Sequence, residues 1–152
     1  MFSTQFRIAA AALLASAAVP ALAGGFYVLL GNPEASSQAK AAGAVVTIKL
    51  AGCHEPEKAN VTAIAIGKVD GQRQSVPLTL TKLSEPGMYA VTRQWPDKGN
   101  WVLEIIATDG QRVASTLVAA ATGGVERDKA VMDTKAASES EIAGLLAKAQ
   151  TH

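Results

Sequence analysis

The residues best equipped for chemistry sit together in Gly52-Cys53-His54-Glu55-Pro56-Glu57. A thiol, an imidazole and a thioether form a soft ligand set suited to copper. Counting strand reversals puts this loop at the same end of the fold as Ser84-Glu85-Pro86-Gly87 and Asp109-Gly110. That count brings Met88 and the carboxylates of Glu55, Glu57 and Asp109 toward Cys53 and His54. Cys53, His54 and Met88 are therefore the candidate metal ligands. The competing reading is a small buried cysteine at a strand end beside a solvated polar loop. The sequence favours that reading, because no second histidine lies nearby and no His/Met-rich run is present.

Catalytic patterns are missing. The chain has two histidines, His54 and the terminal His152. No Gly-rich phosphate loop, no Gly-x-Ser-x-Gly elbow, and no paired-Cys or His-Glu-x-x-His motif occurs. A Cys/His dyad needs its side chains to face each other, and adjacent residues in extended backbone point opposite ways. The expectation is a protein that is not an enzyme, with no cofactor unless copper binds.

Two aromatic and apolar features suggest contact with a partner instead. Trp95 and Trp101 flank one loop at the other end of the fold. Both are in phase with apolar neighbours, as core aromatics would be, and Trp95 just before Pro96 is the freer of the two. Ile142, Leu145 and Leu146 form a narrow stripe at helical spacing. The stripe is read first as docking on its own sheet, with a partner as the close alternative. Trp95, Ile142, Leu145 and Leu146 are the candidate contacts.

The elements that position these residues are mostly strands. From Ala44 to Ala120, short apolar runs alternate with turn signals, the pattern of an all-β sandwich or barrel. Val45–Leu50 and Val61–Ile66 are rich in β-branched residues. Asp70-Gly71 and Asp109-Gly110 supply tight hairpin turns. Ser75–Leu83 alternates, with Val76, Leu78 and Leu80 on one side, and Pro77 marks it as an edge strand. Met88–Trp95, Trp101–Ala107 and Arg112–Ala120 follow, and Phe26–Leu30 is a further strand. The count is about seven, as in an immunoglobulin-like sandwich. Asn32–Gly43 reads as a loop or short weak helix, and Gly123–Ala137 as a flexible connection. Ser138 and Glu141 form a capping box that starts a helix over Glu139–Ala149.

Composition sets the compartment. Met1 to Arg7 carries one positive charge, and an uncharged Ala/Leu run follows from Ile8 to Val19. Pro20 and then Ala21-Leu22-Ala23 complete the order of a secretory signal. The rival is an uncleaved anchor over Ile8–Leu30, long enough to span a bilayer. Pro20, Gly24 and Gly25 interrupt that run, so cleavage after Ala23 is the expectation. The whole chain has 14 basic and 13 acidic side chains, so loss of Arg7 leaves them balanced. A neutral domain without a Lys/Arg cluster argues against nucleic acid and against an anionic membrane surface. Glu126-Arg127-Asp128-Lys129 nearly cancels itself. The single cysteine cannot form an internal disulfide, so stability must come from core burial.

The segments Glu85-Pro86-Gly87-Met88-Tyr89-Ala90-Val91 and Trp95-Pro96-Asp97-Lys98-Gly99-Asn100-Trp101-Val102-Leu103-Glu104-Ile105 carry a recognisable pattern. It resembles the Pro-Gly-x-Tyr and Gly-x-Trp-x-Leu/Val signature of YtkA-like and FixH-like exported domains. The resemblance covers about Val45 to Val118. It implies a small immunoglobulin-like sandwich of the bacterial envelope, in a group some of whose members are associated with copper handling or cytochrome oxidase assembly. The matched positions, Gly87, Tyr89, Gly99 and Trp101, are structural, and no ligand residue carries over.

The expected organisation is a signal peptide over residues 1–23, a strand and loop over 24–43, a sandwich over 44–121, a linker over 122–137, and an amphipathic helix and tail over 138–152. The expected role is a non-enzymatic periplasmic or secreted accessory domain that contacts another envelope protein, without nucleic acid and, once the signal is cleaved, without membrane insertion. The alternative is copper binding or delivery by the Cys53-His54 loop.

Overall fold

The computed structural model describes residues 25–121 and 124–149. The signal segment, the cleavage position after Ala23 and His152 lie outside the described residues. No described helix is long and apolar enough to cross a membrane.

The fold is a β-sandwich. One sheet has the order β1 (Tyr27–Gly31), β2 (Ala44–Ala51), β6 (Met88–Thr92), β5 (Leu80–Lys82). The other has the order β10 (Val131–Asp133), β8 (Arg112–Ala121), β7 (Asn100–Asp109), β3 (Asn60–Val69), β4 (Gln72–Leu78), with the two-residue β9 (Gly124–Val125) also on β8. All pairs are antiparallel. The order β1-β2-β6-β5 against β4-β3-β7-β8 is that of an immunoglobulin-like Greek key, and β10 extends it by one strand.

Alternation along each strand makes the core. Val28, Val46, Ile48, Leu50, Tyr89 and Val91 from the first sheet meet Ala63, Ala65, Leu103, Ile105 and Val118 from the second. Trp101, 1 % exposed, lies opposite Gly67 on β3. A Cβ at Gly67 would come within 2.4 Å of the indole, so only glycine leaves room for the ring. The Trp101 indole N–H donates to the Lys98 carbonyl at 2.9 Å. Thr116 is a polar residue in this core, and its hydroxyl donates to the Val28 carbonyl at 2.6 Å, which joins the sheets.

Each outer sheet face carries a helix. Between β1 and β2, a 3-10 turn and α1 (Ser37–Ala41) pack on β2, and Ala39, Thr47 and Ala90 are buried there. Ser36 caps α1 by accepting from the Ala39 amide. On the other sheet, α2 (Glu139–Ala149) sets Ile142 and Leu146 against Ile66, Val102 and Leu117, a second apolar cluster separate from the core between the sheets. The capping box forms as expected: the Ser138 amide donates to Glu141 Oε2 at 2.7 Å, and the Glu141 amide to Ser138 Oγ at 3.3 Å.

Three expectations need correction. Ser75–Leu83 is not one strand: β4 ends at Leu78, and β5 belongs to the opposite sheet. Gln94 pins the crossing, accepting from the Thr79 amide and donating to the Thr79 carbonyl. Gly123–Ala137 is not a plain connection, because β10 pairs with β8 over three residues. Before α2, Ser115 Oγ donates to the Lys135 carbonyl at 2.5 Å, and the Ala137 amide donates to Glu104 Oε1 at 3.0 Å. The strand expected over Met88–Trp95 ends at Thr92.

Candidate functional site

Hairpin parity brings the three expected loops to one end of the sandwich. A Cβ on Gly87 would lie 2.4 Å from Pro56 Cβ, so the Glu85–Gly87 turn touches the cysteine loop. Arg112 donates to the Gly52 carbonyl at 3.1 Å, pairs with Asp109, and lies 5.5 Å from the centre of the Phe26 ring. Gly52 has φ +79°, and a Cβ there would collide with the Gly25 carbonyl oxygen. The end is therefore closed by β1, by the β7–β8 hairpin and by the cysteine loop together.

Cys53 is half-buried and packs against the core between the sheets. Burial pushes its thiol above the usual value, and Asp109 adds to the rise. Arg112 and a backbone hydrogen bond oppose it, and Glu57 adds a smaller increment. The group is held as a thiol near neutral pH, whereas the thiolate is the nucleophile and metal ligand. His54 is exposed, and Glu55 is paired with Lys58 at 2.5 Å.

The structure does not bring Met88 to Cys53. On β6, Tyr89 and Val91 face the core between the sheets, so Met88 faces outward. It lines a surface groove with Ser36, Gln38, Ser84 and Glu85 beside α1. The strand count was right about the loops, but the parity within β6 turns the thioether away. Among the described residues, no three His, Cys, Asp or Glu side chains are grouped to hold a metal ion.

The expected partner contacts also resolve differently. Trp95 is 5 % exposed and belongs to the core. The Arg93 guanidinium carbon sits 5.8 Å from the ring centre, and the buried indole N–H has no partner among the described residues. Ile142 and Leu146 face the sheet and are buried, because the stripe satisfies itself on Ile66, Val102 and Leu117. Leu145 alone of the stripe stays half-exposed.

Leu145 lines a different feature. A groove of about 260 Å³ runs between α2 and the β8–β10 edge, floored by Leu117, Val131, Ala137 and Leu145, with Asp133 and Glu141 on its rim. Gly144 in the middle of α2 also lines it, and a Cβ there would meet nothing within 4 Å. Val131 and Met132 on β10 are 55 % and 52 % exposed, and with Leu29 they are the exposed large apolar residues of the described chain. β1 and β10 approach each other along this side of the sandwich. Among the described residues β10 is also an edge strand with one unpaired side. Hydrogen bonds from the Ser138 hydroxyl and amide, with the Lys135 charge, hold the Glu141 carboxyl below its usual value, while Lys148 also lines the groove and Lys135 pairs with Asp133.

Sequence reasoning missed this groove. Val131 and Met132 fall in a stretch too short for periodicity, and only two adjacent large apolar residues amid polar ones could have drawn attention to it.

Compared with protein-family models, with curated proteins and with solved structures, the chain matches none of them.

Proposed function

We propose that the protein is a non-enzymatic accessory domain of the bacterial cell envelope, exported by its N-terminal segment, that holds another envelope protein through the β10–α2 groove. The observation that carries this reading is the exposed Val131 on an open strand edge, lining an apolar groove with Leu117, Ala137 and Leu145. Surface apolar residues clustered beside a groove and rimmed by charge are the usual mark of a protein contact. The occupant is an apolar segment of that protein, which would lie on Leu117, Val131, Ala137 and Leu145. The resemblance to YtkA-like and FixH-like domains supports the same compartment and class. The half-buried, protonated Cys53 and the outward-facing Met88 favour the structural reading of the cysteine loop over copper delivery.

The test is a charge substitution in the groove. Val131→Glu and Leu145→Glu place carboxylates where the partner's apolar side chains would lie, at an exposed and a half-exposed position of the groove lining. The complex in envelope extracts, followed on native gels with antibody to the protein, should shift to the free form in each variant. Unchanged migration in both would remove this surface as the contact.

A further inference from the structure

A second groove lies on the opposite side of the sandwich, where the chain changes sheets. On β3, Asn60, Val61 and Thr62 pair with Thr108, Ala107 and Ile106 of β7. Their other side has no partner strand among the described residues, because β4 begins to pair only at Ala63. The chain leaves β4 at Thr79 and continues as β5, whose only partner among the described residues is β6. Two open backbone edges, Asn60–Thr62 and Leu80–Lys82, therefore line a common groove of about 430 Å³. Val61, Ala63, Leu78, Leu80 and Tyr89 give it an apolar lining, and burial pushes the Tyr89 hydroxyl above its usual pKa. Lys82 stands at the groove, exposed, in no ion pair among the described residues.

Unpaired strand edges are templates for another strand. Proteins with open edges blunt them with charge or proline, and β4 carries Pro77 in its body. The Asn60–Thr62 edge has neither. We propose that this groove is a strand-addition site for an extended peptide segment that continues the line of β4 and directs one carboxylate to Lys82. Backbone hydrogen bonds to an open edge supply affinity, and alternate side chains on the apolar lining supply selectivity. The chemistry asks for a segment with small apolar residues at every second position and one acidic group. This surface is separate from the β10–α2 groove and does not rest on the function proposed for it.

The test uses the isotope-labelled protein purified from the producing cells, and the probe peptide acetyl-Thr-Val-Ser-Val-Asp with a free C-terminus. The expected result is saturable amide shifts at Asn60, Val61, Thr62 and at Leu80–Lys82. N-methylation of alternate peptide amides should abolish binding in one register and spare it in the other, because only one set faces the β3 edge. Lys82→Glu lies at an exposed position and should leave the spectrum of the free protein intact. It should weaken binding on the order of tenfold, an effect that fades with salt. A carboxamide peptide retaining its Asp, and a free-acid peptide with Asn in its place, identify which carboxylate Lys82 takes. Shifts confined to the β10–α2 groove, equal binding by both N-methylated registers, or undiminished binding of a peptide lacking both carboxylates would overturn the proposal. Dimerisation of the free protein through these same residues would do so too, since a second copy would then be the occupant.

Discussion

Leu146→Ala should release α2 from the sheet while leaving the sandwich folded. Leu146 is 7 % exposed and shares its cluster with Ile142, Ile66, Val102 and Leu117. Removing a buried leucine side chain costs about 2–5 kcal/mol, and a site under an outer helix that can partly collapse belongs at the low end. We expect about 2 kcal/mol. What remains to hold the helix is Ile142, the capping box, and the fork of Arg73 on Glu139 at 2.5 and 3.0 Å. That ion pair is largely exposed, so it contributes less than about 1 kcal/mol. An 11-residue helix does not persist alone in water. A loss of 2 kcal/mol should therefore raise the undocked population of α2 about thirtyfold. Hydrogen exchange read by NMR checks this directly: α2 amides should lose protection by that factor, while β3 and β7 amides keep theirs. Ala147→Ser, on the exposed face, is the control and should change little. Unaltered α2 protection in Leu146→Ala would refute the docking argument. Equal loss across β3 and β7 would refute the claim that the helix opens as a separate unit.

Gly67→Val should destabilise the whole domain by about 2 kcal/mol or more, because its side chain enters the Trp101 ring; chemical denaturation followed by Trp fluorescence reads the midpoint shift. Glu104→Ala removes the acceptor for the Ala137 amide and should cost about 1–3 kcal/mol, an order set by leaving a part-buried amide unpaired, read as faster exchange in the 134–138 segment. Cys53 should alkylate more slowly than a free thiol at pH 8. Its raised value means that the stability the protonated thiol contributes is complete below the ordinary thiol range and is lost as pH climbs through the raised value. Cys53→Ser should flatten the alkaline limb of the stability curve, which a denaturation series from pH 7 to 11 would measure.

Much of the framework was legible because its signals are local. Asp70-Gly71 takes positive φ at both residues, as a tight hairpin between β3 and β4 demands. Ser138 and Glu141 sit where a capping box must, and α2 begins at the next residue. The strand switch at Thr79 was hidden, since Val76, Leu78 and Leu80 pack on the same core whichever sheet holds them. Alternation reports the face a residue takes and is silent on its sheet. β10 was hidden for another reason: three residues, two of them exposed, carry no period. The reversal count gathered the Cys53, Gly87 and Asp109 loops correctly, yet it ignored parity within β6, which sends Met88 to the outer face. Trp95, Ile142 and Leu146 carried the right composition for a contact surface, and the fold uses them internally.

The central claim, that a partner sits on the β10–α2 groove, is tested most directly by a photoactivatable benzophenone side chain at position 131, which lines the groove, in producing cells. Position 49, on the outer face of the other sheet, serves as the control. The account predicts one dominant adduct from position 131 and none from 49. The identified partner, once purified, should bind the purified protein and lose affinity for Leu145→Glu. Adducts of equal yield from both positions, or a purified pair that binds Leu145→Glu undiminished, would contradict it.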